Sequence, residues 1–411
     1  MLKKIPVREL RPGMYIHELC GSWLETPFWK KSFLLEDAAM LAKVNGSSVE
    51  EAWIDTDKGD DVPAPAVVVV VPAEPPPVVP QHVVRVAYRD VERVSMADEV
   101  GRATSIVNKS REAVVSMFSE ARMGKAIDAS NAMPLVEEIA GSIMRNPGAL
   151  IGLARLKTAD DYTYMHSVAV CALMIALASQ LKLDDETIRE LGLAGLLHDI
   201  GKMAVPPTIL NKPGKLTDEE FESVKQHSAA GHAMLLAASG IGAIALDVCL
   251  NHHEKVNGSG YPHRLSGEQI SLYARMGAVC DVYDAITSNR PYKQGWCPSE
   301  SLSKMAEWSN GHFDPVVFQA FVRSIGIYPV GTLVLMASGR LGVVVEQQEG
   351  KLLLPKVRVF YSSKTMAHIV PVLLDLAGAD GNDKIVARED AGKWGLTDIN
   401  RYWLGDDAAR A

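Results

Sequence analysis

Histidine is the residue whose spacing carries chemistry in this chain. Seven of its eleven histidines fall between His166 and His263. His198-Asp199 closes the apolar run Leu191-Gly192-Leu193-Ala194-Gly195-Leu196-Leu197, and His252-His253-Glu254 follows a second run, Ala245 to Leu250. Side chains that leave an apolar wall at a helix end are poorly solvated, and neutral imidazoles beside a carboxylate suit divalent first-row metals. A His-Asp pair alone says little, because a buried histidine is commonly just hydrogen-bonded. His166, His198, Asp199, His227, His252, His253 and Asp281, spread over successive helical segments, form a more informative set. That is the pattern of a metal site inside a helix bundle, where one aspartate can bridge two ions. Two such ions roughly 3.5–4 Å apart lower the pKa of a shared water and stabilise charge on a phosphoryl group.

The surrounding residues carry a resemblance. His198-Asp199-Ile200-Gly201-Lys202, followed by His252-His253-Glu254-Lys255-Val256-Asn257-Gly258-Ser259-Gly260-Tyr261-Pro262, resembles the HD-GYP family. These are HD-domain phosphohydrolases that cleave the bacterial second messenger cyclic di-GMP. The segment from Asp281 through Asp284 to Arg290-Pro291-Tyr292-Lys293 is similar to a third signature of that family. The resemblance covers about 150–325, and the flanks are more loosely similar to the N-terminal module and C-terminal extension of one bacterial subfamily. It implies metal ligation by His166, His198, Asp199, His227, His252, His253 and Asp281, with Asp199 bridging two divalent ions. Iron or manganese leads, and zinc or nickel is compatible with the same ligands. It also implies a catalytic role for His198, Asp199 and Lys202, phosphate contacts from Lys202, Arg290 and Lys293, and a mouth shaped by Gly260 and Tyr261. The expected reaction is hydrolysis of cyclic di-GMP to linear pGpG, with GMP as the product of a second cut. A receptor that binds the nucleotide without turning it over is the alternative from another functional class.

Two positions depart from the family pattern. Some members carry a glutamate four residues before the first ligand histidine, where this chain has Tyr162. Four helical residues turn about 400°, so 162 shares a face with 166, whereas Asp161 is rotated away and does not replace the glutamate. A two-metal site is therefore expected rather than a three-metal one. Asn257 stands where the family usually has aspartate, which keeps an acceptor and loses a charge. His232 is expected to be structural, His263 to lie near the entrance, and His17, His82, His312 and His368 to lie outside the constellation.

These groups need helices to hold them. Apolar periodicity predicts helices over 134–145, 161–181, 184–197, 217–237, 241–252, 271–288 and 299–309, and one or two more within 88–123. After Tyr328-Pro329 the texture becomes strand-like over 332–336, 342–347 and 352–360, which predicts a compact β module of about 60 residues followed by a polar tail. Residues 1–60 mix β-rich pieces, Met14-Tyr15-Ile16 and Ala52-Trp53-Ile54, with turn signals. Seven prolines within 62–80, around a run of five valines at 67–71, predict an extended linker. The expected fold class is mainly α, a multi-helix HD-type bundle flanked by a small N-terminal α+β module and a small C-terminal β module. The corresponding segments are 1–60 (regulatory), 61–87 (linker), 88–133 (helical connector), 134–328 (catalytic) and 329–411 (β-rich extension and tail).

Composition sets the outer bounds. The 411 residues are 47% apolar and 22% charged, enough for a large core in two or three domains. The net charge of −8 argues against a protein that coats DNA or RNA, so an anionic substrate must be drawn in by a local cation cluster. Five scattered cysteines fit neither a disulfide framework nor a zinc knuckle, and Cys171, Cys249 and Cys280 sit in apolar runs. The start lacks an apolar signal segment, and the longest run free of polar residues, 168–178, is too short to span a bilayer. A cytoplasmic protein without membrane insertion is expected, with the 88–123 stretch available to a homodimer and a signalling protein as a further partner.

Overall fold

The computed structural model of the chain describes residues 2–20, 32–37, 40, 41, 44, 51–60, 88–156, 162–288, 295–309, 311–378 and 383–405. The chain divides into two units, Met1–Val83 and Val84–Ala411. In the first, strands β1 (Leu2–Pro6), β2 (Tyr15–Cys20), β3 (Phe33–Leu34) and β4 (Glu51–Asp55) form an antiparallel sheet in the order β1-β4-β2-β3. Ile5, Ile16, Ala52 and Ile54 supply its buried face, with Met14, Leu35 and Val44 packed alongside. The expected β segments at 14–16 and 52–54 thus fall on β2 and β4. The proline- and valine-rich stretch lies outside the described residues.

The second unit is built on helices. Helix α1 (Met96–Arg122) is a single 27-residue helix, and the side chain of Ser95 accepts the amide of Asp98 at its start. Helices α2 (Met133–Arg145), α3 (Pro147–Arg155), α4 (Tyr162–Gln180) and α5 (Asp185–Leu197) follow. Helix α4 is apolar on nearly every face because it is enclosed by its neighbours. Thr163–Gln180 is long and apolar enough to cross a membrane, yet 78% of that window is buried inside the protein. Then come α6 (Pro207–Leu210), α7 (Asp218–Lys225), α8 (His227–Leu236), α9 (Ala243–Asn251), α10 (Leu272–Thr287), α11 (Pro298–Trp308) and α12 (Pro315–Ile325).

A five-stranded antiparallel sheet closes the unit. It comprises β5 (Leu333–Met336), β6 (Arg340–Glu346), β7 (Lys356–Ser362), β8 (Ala367–Asp375) and β9 (Ile385–Arg388), in the order β8-β7-β6-β5-β9. Leu333, Leu341, Val343, Val345 and Phe360 join the same apolar core as the bundle, and so does Trp403 of the short terminal helix α13 (Arg401–Leu404).

Four local readings change. The single helix expected at 217–237 is two, α7 and α8, broken at Gln226. Helices α3 and α12 were not expected; each begins with proline. In both, an Asn or Asp side chain caps the amides beyond it, Asn146 for α3 and Asp314 for α12, so the proline occupies a first-turn position that needs no donor. The strand expected over 352–360 starts at Lys356. Strands β8 and β9 were not read individually, although both fall within the roughly 60-residue β module expected after 329. Pro371 disguised β8, and a proline is tolerated there because β8 is an edge strand whose register shifts between the pairs His368–Tyr361 and Val372–Val359.

Candidate metal centre

Three helix ends, a 3-10 turn and two helix faces deliver the site. His166 lies in the second turn of α4. His198 and Asp199 directly follow α5, and the chain then tightens into a 3-10 turn, Ile200–Ala204, that carries Lys202. His227 opens α8, His252 and His253 directly follow α9, and Asp281 and Asp284 share one face of α10. The turn holding Lys202 is pressed onto the start of α8. A Cβ at Gly201 would come within 1.9 Å of the His227 carbonyl oxygen, so this position tolerates only glycine.

The side chains converge on a dry pocket. His166, His198, Asp199, His227 and His252 are all 1% exposed, and Asp281 is 7% exposed. Donor atoms of Asp199, His227, His252 and His253 lie within 4.8 Å of one another, and so do those of His166, His198 and Asp199. Asp199 belongs to both groups. Asp281 joins the second through His166 Nε2 at 3.0 Å and reaches the first through His253 Nδ1 at 3.7 Å.

The hydrogen bonds fix which nitrogen faces inward. His198 Nδ1 donates to the Gly195 carbonyl at 2.8 Å, His227 Nδ1 to Val224 at 2.7 Å, and His252 Nδ1 to Val248 at 2.9 Å. Each neutral ring therefore turns an Nε2 lone pair into the pocket. The Nε2 atoms of His227 and His252 meet at 3.4 Å with no proton left to share. His198 Nε2 and Asp199 Oδ1 are buried without a hydrogen-bond partner. Facing lone pairs and orphaned acceptors in a water-poor pocket are unfavourable unless a cation sits among them, so the donor set fits divalent metal.

Comparisons with known proteins agree. The HD domain family model matches residues 137–317, and a model described as a domain of unknown function matches residues 2–132. The cyclic di-GMP phosphodiesterase PA4108 of Pseudomonas aeruginosa is 54% identical over 98% of this chain and 96% of its own length. The chain belongs to the HD-GYP family. The cyclic di-GMP phosphodiesterase response regulator RpfG of Xanthomonas campestris pv. campestris is 41% identical over 36% of this chain and 39% of its own length. The 3'3'-cGAMP-specific phosphodiesterase 1 of Vibrio cholerae is 39% identical over 40% and 38%. Among solved structures, the HDG"Y"P protein Bd1817 from Bdellovibrio bacteriovorus is 17% identical, with 78% of this chain and 98% of that one covered and a TM-score of 0.46.

Electrostatics set the protonation states of this HD-GYP pocket. Burial, helped by His198 and His227, pushes His252 down to about 3. Burial likewise lowers His227, against the pull of Asp199, and takes His253 well below the usual imidazole range. All three are neutral near pH 7, the form that ligates. For Asp199 burial acts upward, but Lys202, His198 and His227 outweigh it and hold the carboxyl well below its ordinary value. Asp281 is held down in the same way by His166 and His253 against the effect of burial. His166 goes the other way. Burial lowers it, and its hydrogen bonds to Asp281 and Asp284 more than compensate.

At the mouth, the Tyr261 ring lies 4.6 Å from the His253 ring, and Lys202 pairs with the Asp199 carboxylate. A Cβ at Gly260 would fall 2.5 Å from Glu254 Cα, which is how the loop folds back over the helix end. Arg290 and Lys293 lie outside the described residues. The side chain of Asn257 accepts the Ser259 amide and hydroxyl, a turn role that aspartate would fill equally. Sequence reasoning missed two residues. Asp284 sits 2.6 Å from His166 Nδ1, and Glu254 is 2% exposed and accepts the amides of His263 and Leu265. The signal for Asp284 was its place three residues after Asp281 on one helix.

Proposed function

We propose that this chain is a metal-dependent phosphodiesterase that opens cyclic di-GMP to linear pGpG and cuts that product more slowly to GMP. The observation that carries the reading is the meeting of four buried imidazoles, the part-exposed His253 and two buried carboxylates, with Nδ1 of three rings spent on backbone carbonyls and their Nε2 lone pairs turned inward. Full-length similarity to a cyclic di-GMP phosphodiesterase supports the same substrate.

In this reading His227, His252 and His253 hold one divalent ion, His166, His198 and Asp281 hold a second, and Asp199 serves both. Such ions supply Lewis acidity toward phosphate oxygens and make a water acidic enough to react near neutral pH. The chain's own part is to keep His227, His252 and His253 neutral, Asp199 and Asp281 ionised and bulk water out. Lys202, poised on Asp199, offsets charge that builds on the phosphate oxygens, joined by Arg290 and Lys293. Tyr261 and Gly260 form the wall against which the nucleotide is held. Addition of one water across a P–O3′ bond gives pGpG, and a second addition gives two GMP. The protein would work in the cytoplasm, where cyclic dinucleotides are made.

The test is protein purified without oxygen, quantified for metal, and incubated with cyclic di-GMP with and without added Mn(II) or Fe(II). Product appearing with metal and absent in Asp199→Ala, which should also lose metal, supports the assignment. Intact nucleotide in protein with a full metal complement would convert the reading to a receptor.

A further inference from the structure

Helix α7 stands at the mouth of the pocket without a buried residue of its own. Its Thr217–Glu220 capping box and the Lys212–Glu220 ion pair (2.6 Å) hold it in shape. Its apolar side chain Phe221 is 46% exposed, although an eight-residue helix ordinarily turns such a ring inward. Lys225, one turn on, places its ammonium 4.8 Å from the Phe221 ring and 5.7 Å from the Tyr261 ring. Tyr261 in turn lies against His253. Glu222 pairs with Lys225 at 2.5 Å, and the two side chains are 64% and 26% exposed. An open ring with a donor and an acceptor side by side therefore borders the metal pocket.

We propose that Phe221, Glu222, Lys225 and Tyr261 form a base subsite that selects guanine. The inference rests on the cyclic di-GMP reading above and deepens it. Phe221 offers a stacking face, which is favourable for any base. Selection comes from the ion pair. Guanine presents an acceptor, O6, next to two donors, N1–H and N2–H, so Lys225 donates to O6 while Glu222 accepts from N1–H and N2–H. Adenine presents an N6 donor and an unprotonated N1 at those places, which sets donor against Lys225 and acceptor against Glu222. A mispaired base would leave the part-buried Lys225 ammonium facing a donor in place of an acceptor, a condition under which hydrogen bonding discriminates between bases.

The test compares wild type with Lys225→Met, Glu222→Ala and Phe221→Ala in the full chain. Affinities for cyclic di-GMP and cyclic di-AMP are measured by competition against a fluorescent cyclic di-GMP. Turnover of cyclic di-GMP is set beside that of bis(p-nitrophenyl) phosphate, which has no purine. Lys225→Met and Glu222→Ala should each cut the preference for cyclic di-GMP over cyclic di-AMP by about 10- to 100-fold, chiefly through KM. Phe221→Ala should weaken both nucleotides alike. Equal losses of Lys225→Met on cyclic di-GMP and on the purine-free diester would make it a phosphate ligand and overturn the proposal, as would an unchanged preference in both charge variants. Wild type that cleaves the simple diester but neither binds nor cleaves cyclic di-GMP would remove the substrate reading itself, and the guanine subsite with it.

Discussion

Oδ2 of Asp284 lies 2.6 Å from Nδ1 of His166, while Nε2 of the same ring faces Asp281 at 3.0 Å and Asp199 at 3.4 Å. One carboxylate thus grips the outer nitrogen and fixes which lone pair faces the pocket. Outer partners of this kind commonly change metal affinity about 10- to 100-fold. Asp284→Asn keeps the shape and loses the charge, so it should bind Mn(II) in that range more weakly, with a thermal midpoint close to wild type. Metal titration against a chelating dye checks this, and wild-type affinity in the variant would refute the positioning role.

Glu254 does for the loop what Asp284 does for the ring. Its two oxygens accept the His263 amide at 2.7 Å and the Leu265 amide at 3.0 Å, from a nearly buried position. Glu254→Ala leaves both donors without this acceptor, at a cost of about 1–3 kcal/mol in all, since the amides are only part-buried. The variant should melt several degrees lower and lose activity through a displaced Tyr261. Glu254→Gln, which still accepts one bond, should fall between the two. If Glu254→Ala unfolds at the wild-type temperature, the loop is held by something else.

How much of this could be read beforehand depended on whether neighbouring residues or distant packing made the decision. The ligand helices were legible because α5 and α9 are apolar runs that end in His-Asp and His-His, so sequence alone places those groups at a helix end. The α7/α8 break was not, because Asp218 to Leu236 keeps helical spacing while the Gly201 turn packs against the start of α8 and sets its direction. Strand β8 stayed hidden because Pro371 is costly in a central strand and tolerable at an edge, and edge position belongs to the sheet rather than to the segment. Glu254 was quoted within a motif yet given no role, since its partners His263 and Leu265 lie nine and eleven residues on, beyond any local pattern.

Asp314 links two helices of the bundle. It caps α12 by accepting the amides of Val316 (2.8 Å) and Val317 (3.0 Å), and it pairs with Arg275 of α10 at 2.6 Å. Burial would raise its pKa, but the Val317 amide and Arg275 outweigh that, so the folded value lies below the ordinary one. A depressed carboxyl contributes stability that is full above its unfolded pKa and is lost as pH falls through the folded one. Asp314→Asn retains the cap and loses the ion pair. Its thermal midpoint should therefore lie below wild type at pH 7, and the gap should shrink below about pH 4. A gap that is constant across that range would assign the effect to packing.

Metal content tests the consequence of Tyr162. It stands one helical turn before His166 on α4, at the position where a third ion would need a carboxylate. The two donor groups that share Asp199 account for His166, His198, His227, His252 and His253 without a further acidic residue from α4. Purified, fully loaded protein should therefore carry about two divalent ions per chain. Tyr162→Glu should raise the count toward three and speed the second cut, from pGpG to GMP, more than the first. Elemental analysis paired with product ratios decides the matter. A wild-type count near three would overturn the two-ion reading, and an unchanged count in Tyr162→Glu would show that position 162 does not set the number of ions.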